Sequence, residues 1–359
     1  MDTPVRHTQR RPGSSRRRLR LRFAGAVILL LAVTVLLALC PALSGAAAQS
    51  PRQTADDWFN GVDVVGAWGW SVGTNGQVVH WQRDGSTRDV WSLGTTDDIQ
   101  AIDMVTSKIG YVVTAGKAQT DKAAVLKTVD GGQTWTRKLT TGVDVLTAVK
   151  FRSKSLGWVA GRGGTVLETT NGGKTWTKLK TKTTQTLYAL SFPSDKVGYA
   201  VGSGGVIIKT VNAGKTWTAQ KSGTAEGLFG VDFVTTKIGW VAGGDTAGYC
   251  VKTTNGKKWV AQGSSLPPLA AVDFANASTG WVLGFEGSWP NLNGRIIKVT
   301  GGGATWTDQS ATVDPSPPDY ALVALKVVDA LHAYAGGESE ASLSTDDGEV
   351  WHLTHIATP

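Results

Sequence analysis

Leu146-Thr147-Ala148-Val149-Lys150-Phe151, then Leu156-Gly157-Trp158-Val159-Ala160-Gly161, then Thr165-Val166-Leu167-Glu168-Thr169, then Thr170-Asn171-Gly172-Gly173-Lys174-Thr175-Trp176-Thr177 make up one unit that recurs along the chain. The next copy, from Leu187 to Thr218, matches it piece by piece. Each unit holds four short runs rich in β-branched and aromatic residues, separated by Gly, Asn, Asp and Ser, which is the pattern of strands joined by tight turns. In the copy after the first quoted one the runs are A (Leu187–Phe192), B (Gly198–Val201), C (Gly205–Thr210) and D (Thr216–Gln220).

Two markers count the copies. The Trp that closes each unit stands at positions 91, 135, 176, 217, 259, 306 and 351, and the aromatic of run B at Trp70, Tyr111, Trp158, Tyr199, Trp240, Trp281 and Tyr334. Units of this length carry four short strands each. The expected fold is all-β, a seven-bladed β-propeller of four-stranded antiparallel blades over residues 58–359, with repeats ending near 94, 139, 180, 221, 262, 309 and 356. No stretch past residue 50 sustains a helical period. A closed ring is favoured over an open stack because it leaves no sheet edge bare. The last repeat is expected to supply its own outer strand at Trp351–Ile356, with the segment around Trp58-Phe59 pairing with it or covering the seam.

Ahead of the repeats, residues 1–22 carry eight arginines against one acid, and an apolar run from Phe23 to Leu39 leads to Ala46-Ala47-Ala48. Basic region, apolar region and small-residue end are the marks of an export signal over 1–48, with 49–57 as a linker. The alternatives are an uncleaved anchor in 23–39, a lipoprotein box at Leu37–Cys40 and twin-arginine export at Arg16-Arg17. The protein is thus expected outside the cytoplasm: secreted, periplasmic or held at the envelope. Of the 36 basic and 28 acidic residues, eight and one leave with this segment, so the remainder carries a net charge of about +1. That balance gives no support to nucleic-acid binding.

Four repeats keep Ser/Thr-x-Asp/Asn-x-Gly-x-x-Trp between runs C and D, with Asp130 and Trp135, Asn171 and Trp176, Asn212 and Trp217, and Asp346 and Trp351. An Asp or Asn side chain here accepts N–H groups of its own turn, Gly supplies a positive φ, and Trp lays an apolar face between neighbours. These residues are expected to be structural. The motif is similar to the Asp-box, or BNR repeat, of sialidase-like propellers. The Gly-Trp/Tyr-x-x-Gly step, the Gly-Gly-Val-Ile run at 204–207 and the Asn-Gly-Gly-Lys-Thr-Trp turn resemble the propeller family of photosystem II assembly and stability factors. That resemblance implies a non-enzymatic protein outside the cytoplasm that holds a protein partner through an arginine-rich surface. In this sequence the arginines beyond the N-terminal segment are scattered over the repeats.

Strand alternation puts the boxes on one face and the irregular B–C and D–A connections (116–122, 243–248, 285–294 and 311–320) on the other, where repeat scaffolds display binding surfaces. The binding candidates there are Arg162, Asp245, Glu286, Trp289, Asn291, Arg295, Glu338 and Glu340. Trp289 has no counterpart in the other repeats and is the natural stacking platform for a glycan or a partner. Asp245 and Glu286 are the one carboxyl pair worth testing for glycoside hydrolysis, which needs two acids about 5–10 Å apart. No Arg-Ile-Pro motif of sialidases occurs; Arg295-Ile296-Ile297 comes nearest.

No His or Cys set has metal-ligand spacing, so neither metal nor cofactor is expected. Cys250 reads as a buried small hydrophobe. The expectation is a monomeric, non-catalytic scaffold for a protein or an envelope glycan, with membrane contact confined to the N-terminal segment. The alternative is a glycan-binding module or a sialidase-like hydrolase.

Overall fold

The computed structural model describes residues 58–84, 88–116, 122–140, 142–143, 145–288, 291–314, 321–337, 342–345 and 351–355. The expected export segment and linker therefore lie outside the described residues, as do Trp289, Glu338, Glu340 and Asp346. Strands appear in the order the repeat dictates, and each repeat folds as its own antiparallel sheet. In the repeat named above the strands are A (Leu187–Ser191), B (Gly198–Gly202), C (Ile207–Thr210) and D (Thr218–Gln220).

The expectation of seven four-stranded blades is corrected at the last repeat. Six sheets are four-stranded and antiparallel, while the last is five-stranded. Its added strand, Val313–Asp314, comes from the connection that precedes the repeat and pairs in parallel with Trp351–His355. The last repeat does supply its own outer strand, Trp351–His355 paired with Ser342–Thr345. Among the described residues no strand is exchanged to shut the ring. Phe59–Val65 is strand A of the first sheet, paired with Trp68–Gly73. Its Val62 and Val64 pack against Ala324 and Tyr334 of the last sheet, and Arg83 Nε donates to the Tyr334 hydroxyl at 2.8 Å. Trp58 packs with Leu292 and Ala321.

Neighbouring sheets meet through a repeated aromatic contact. The B-strand aromatic of one sheet stacks on a Phe from strand A of the next: Tyr111 on Phe151 at 3.6 Å, Trp158 on Phe192 at 3.7 Å, Tyr199 on Phe233 at 3.6 Å and Trp240 on Phe274 at 3.7 Å. The box Trp of that next sheet then meets the Phe edge-on, as Trp176, Trp217 and Trp259 do. The same B-strand aromatic also donates to the next sheet's C–D turn: Trp70 Nε1 to Gly131 O at 2.6 Å, the Tyr111 hydroxyl to Gly172 O at 3.1 Å and Trp158 Nε1 to Ala213 O at 3.1 Å. A Lys from strand C reinforces the contact. Lys127, Lys209 and Lys252 each lie over that aromatic ring, about 5 Å away, and donate to a carbonyl of the adjoining turn.

This packing explains both glycines of the Gly-aromatic-x-x-Gly step. A Cβ on Gly198 would come within 2.3 Å of the Phe192 ring, and one on Gly202 within 1.9 Å of the Thr186 carbonyl oxygen. The remaining space belongs to strand A.

The boxes behave as turn clamps. Asp130 Oδ1 accepts the Thr134 N–H at 3.0 Å and the Thr128 hydroxyl at 2.7 Å, while Gly132, at φ +102°, donates to Thr128 Oγ1. Asn171 and Asn212 accept the equivalent N–H groups of Thr175 and Thr216, both at 2.9 Å. An amide therefore does the same work as the acid, and the carboxyl charge is dispensable. Burial opposes ionisation of Asp130, but the hydrogen bonds from Thr134 and Thr128 prevail and hold it at about 2. Asp130→Asn is expected to change stability by less than about 0.5 kcal/mol and Asp130→Ala to lower it by about 1 kcal/mol, as for a lost cap, measured by urea unfolding.

One polar layer runs round the centre. The A-strand residue opposite the B-strand aromatic is Asp63, Asp103, Lys150, Ser191, Asp232, Asp273 and Lys326 in turn. Each Asp accepts the N–H of the next A strand: Asp63 from Met104 at 2.7 Å, Asp103 from Phe151 at 2.7 Å, Asp232 from Phe274 at 3.1 Å and Asp273 from Val327 at 2.7 Å. Lys150 pairs with Asp103 at 2.6 Å, and Lys326 with Asp63 at 2.9 Å across the seam. Asp103→Ala leaves the Phe151 N–H and the Lys150 charge without their partner and is expected to cost about 3 kcal/mol, read from chemical denaturation, with Asp103→Asn costing less.

Candidate binding face

At the start of every A strand, on the face opposite the boxes, the pairing with strand B slips by one residue. A bulge of this kind turns one side chain out of the regular alternation and bends the strand. The bulged residues are Asn60, Gln100, Thr147, Tyr188, Phe229, Ala270 and Val323, all at the end of the inner A strands away from the boxes, the mouth of the ring. Asn60 and Thr147 reach across to carbonyls of the next A strand, Ile99 O and Leu187 O. Tyr188 and Phe229 instead form a half-buried aromatic pair, with ring centroids 5.2 Å apart.

Polar groups surround this pair. Gly202-Ser203-Gly204-Gly205 turns tightly enough to set Ser203 beside the ring, where its hydroxyl accepts the Thr186 N–H at 3.1 Å and donates to Gln185 Oε1 at 2.8 Å. Burial and the nearby Asp245 charge raise the Tyr188 hydroxyl above its ordinary value, and Arg162 acts against them. Asp245 Oδ2 accepts the Gly227 N–H at 3.2 Å, and Glu226 Oε2 accepts the Asp245 N–H at 3.0 Å. Burial and the adjoining Glu226 carboxylate raise Asp245, although the Gly227 N–H works the other way. Two acids, one basic group and two aromatic rings thus lie near one another at this end of the A strands.

Among the sequence candidates, Arg162 and Asp245 fall in this cluster. Glu286 and Arg295 lie in the sixth sheet, where the expected irregular loop at 285–294 is corrected. The hairpin continues as regular antiparallel strands, Gly280–Ser288 and Asn291–Thr300, with Ser288 opposite Asn291. Arg295 holds Glu286 at 2.5 Å and Asp308 at 3.4 Å. Asp245 thus stands beside Glu226, and Glu286 is bound by Arg295. Sequence reading missed Tyr188, Phe229, Ser203, Gln185 and Glu226. Their one signal was a non-repeating residue directly after the first apolar residue of run A, as in Leu187-Tyr188 and Leu228-Phe229.

The central layer holds a second acid pair. Burial and the Asp273 charge push Asp232 up to about 7, and burial raises Asp273 as well. Both carboxylates are engaged by N–H groups of the next A strand, so they serve the ring and not a substrate. Among the described residues no three His, Cys, Asp or Glu side chains converge to hold a metal ion. Cys250 is buried, and burial pushes its thiol up to about 12.

Residues 86–220 match the family model described as Photosynthesis system II assembly factor YCF48. Over that stretch this BNR-type propeller is related to the assembly factor. The chain is similar to the structure of YCF48 from Cyanidioschyzon merolae, with a TM-score of 0.62, 18% identity, and coverage of 83% of this chain and 98% of that one. It is similar to YCF48 bound to D1 peptide, with a TM-score of 0.64, 16% identity and coverage of 85% and 98%. It is equally similar to the GH74 enzyme of Niastella koreensis, with a TM-score of 0.69 and 16% identity, covering 83% of this chain but 54% of the enzyme. The chain therefore spans about half the length of that enzyme. At these identities the structural likeness shows the fold alone. No curated protein matches the chain.

An Asp whose folded-state value is raised binds its proton more tightly folded than unfolded, so its share of stability is present at low pH and lost as pH rises from about 4 to about 7. Asp232→Asn keeps an acceptor for the Phe274 N–H and removes that loss. Relative to the parent, its stability is expected to improve across this window and then level off, followed by urea unfolding at a series of pH values. A flat difference would mean that Asp232 titrates normally.

Proposed function

We propose that this chain is a non-catalytic, exported scaffold that receives a segment of a protein partner at the mouth of the ring, on the face opposite the boxes. The observation that carries the reading is the bulged Tyr188–Phe229 pair beside Ser203, Gln185, Arg162 and Asp245. Strand packing needs no aromatic there: the same bulge holds Ala270 in the sixth sheet and Asn60 in the first. Half-buried aromatic side chains ringed by a few polar groups suit peptide recognition. The match of residues 86–220 to an assembly-factor family supports the reading, as does a fold-level relative seen with a peptide. The arginines beyond the N-terminal segment are scattered over the repeats, so the partner is defined here by chemistry: an apolar or aromatic segment flanked by polar groups.

The likeness to GH74 enzymes favours a second reading, in which the aromatic pair stacks a sugar and Asp245 with Glu226 acts on it. Replacing Tyr188 or Phe229 by Ala is expected to weaken capture of crosslinked envelope proteins about tenfold or more while the melting temperature holds. Hydrolysis of xyloglucan by the parent, abolished in Asp245→Asn or Glu226→Gln, would replace the scaffold reading by the enzymatic one.

A further inference from the structure

Lysines recur in the box-side turns of successive repeats. In the second to fifth repeats the A–B turns expose Lys108, Lys154, Lys196 and Lys237. The C–D turns of the third to fifth repeats expose Lys174, Lys215, Lys257 and Lys258. The two sets share one surface, because each A–B turn is hydrogen-bonded to the C–D turn of its own sheet: Gly131 N–H to Lys108 O, Gly172 N–H to Ser155 O and Ala213 N–H to Lys196 O, each at 2.9 Å. Acids on this side of the same repeats are already engaged. Asp130 is locked within its turn, and Asp195 is paired with Arg152 at 3.4 Å. Glu168 is the carboxylate that feels one of these lysines, Lys215.

The same surface carries apolar tips. Val129 and Val211 occupy equivalent positions in two boxes and are 62% and 61% exposed, and Val328 and Leu331 stand in the A–B turn of the last sheet at 38% and 50%. Of these, Val129 and Val211 lie within the lysine-bearing second to fifth repeats. Lysines in the turns of successive repeats present point charges without the planar guanidinium forks that read one partner's geometry. Apolar tips set among such charges fit an interface of headgroups and acyl chains.

We propose that the box-side face of the second to fifth repeats docks on an anionic phospholipid surface. The opposite face, with Tyr188 and Phe229, is then turned away from the lipid. An acidic protein is the competing occupant, and the lysine repeat with its apolar tips favours the bilayer.

The test is lysine acetylation of the full chain, read by mass spectrometry, on vesicles of phosphatidylcholine alone and of phosphatidylcholine with about one-third phosphatidylglycerol. Comparing the two vesicles cancels apolar attachment through residues 23–39, and the lysines of the opposite face report any attachment through the arginines of residues 1–22. Lys154, Lys196 and Lys215 are expected to lose reactivity several-fold on the anionic vesicles only. Lys182 and Lys221, exposed on the other face, are expected to keep theirs, and the protection is expected to fade at high salt. The triple variant Lys154→Glu, Lys196→Glu, Lys237→Glu, with its melting temperature checked, is expected to lose the protection of Lys215. Equal reactivity on both vesicles, earlier protection of Lys182 and Lys221, or protection by polyglutamate but not by vesicles would overturn the proposal.

Discussion

The ring depends on each sheet covering the next, because a twisted four-stranded sheet with two apolar faces is unstable unless both are buried. Three contacts at three depths achieve this. At the centre an A-strand Asp accepts the N–H of the next A strand, as Asp103 does from Phe151. Midway, a B-strand aromatic stacks on the same Phe151. Outside, that aromatic and a strand-C lysine tie down the next box turn at Gly172. One residue, Phe151, joins the first two contacts, so the hydrogen bond fixes the height of the ring that the aromatic then covers.

Where the pattern lapses, the ring uses other means. Met104 and Val327 replace Phe in the second and last repeats, and Ser191 replaces the central acid in the fourth. The seam between first and last sheets relies on the Lys326–Asp63 pair and on Arg83 with Tyr334. Asp232 and Asp273, adjacent in the layer, have no lysine at hydrogen-bond distance among the described contacts; burial raises both, and the Asp273 charge adds to the rise at Asp232. The box acids show the opposite case: Asp130 is held low by local donors and is replaced by Asn elsewhere without loss of the turn.

These demands leave the two faces with different freedom. Box turns are fixed by the docking of their backbone against the neighbouring sheet, so only their tips vary, and the tips carry lysine and valine. On the other face the bulged residue of strand A is released from the sheet alternation, and its identity changes from Asn to Tyr, Phe and Ala around the mouth. Function is expected where the packing imposes least.

The repeat, the strand order, the box turns and the burial of Cys250 were legible in the sequence, because each rests on local spacing or on turn chemistry within a few residues. So was the side on which Arg162 and Asp245 would stand. The central layer was also written there, as the Val-Asp-Phe and Val-Lys-Phe triplets of run A, yet its meaning needs the neighbouring strand whose N–H each acid accepts. Only the tertiary structure decided that Tyr188 and Phe229 meet, since a one-residue bulge reverses the facing that alternation alone assigns. It also decided that residues 285–288 and 291–294 extend a hairpin in which Arg295 holds Glu286, and that Val313–Asp314 adds a parallel strand to the last sheet. Those outcomes depend on register and on partners far away in the chain, which a pattern of neighbours in sequence does not contain.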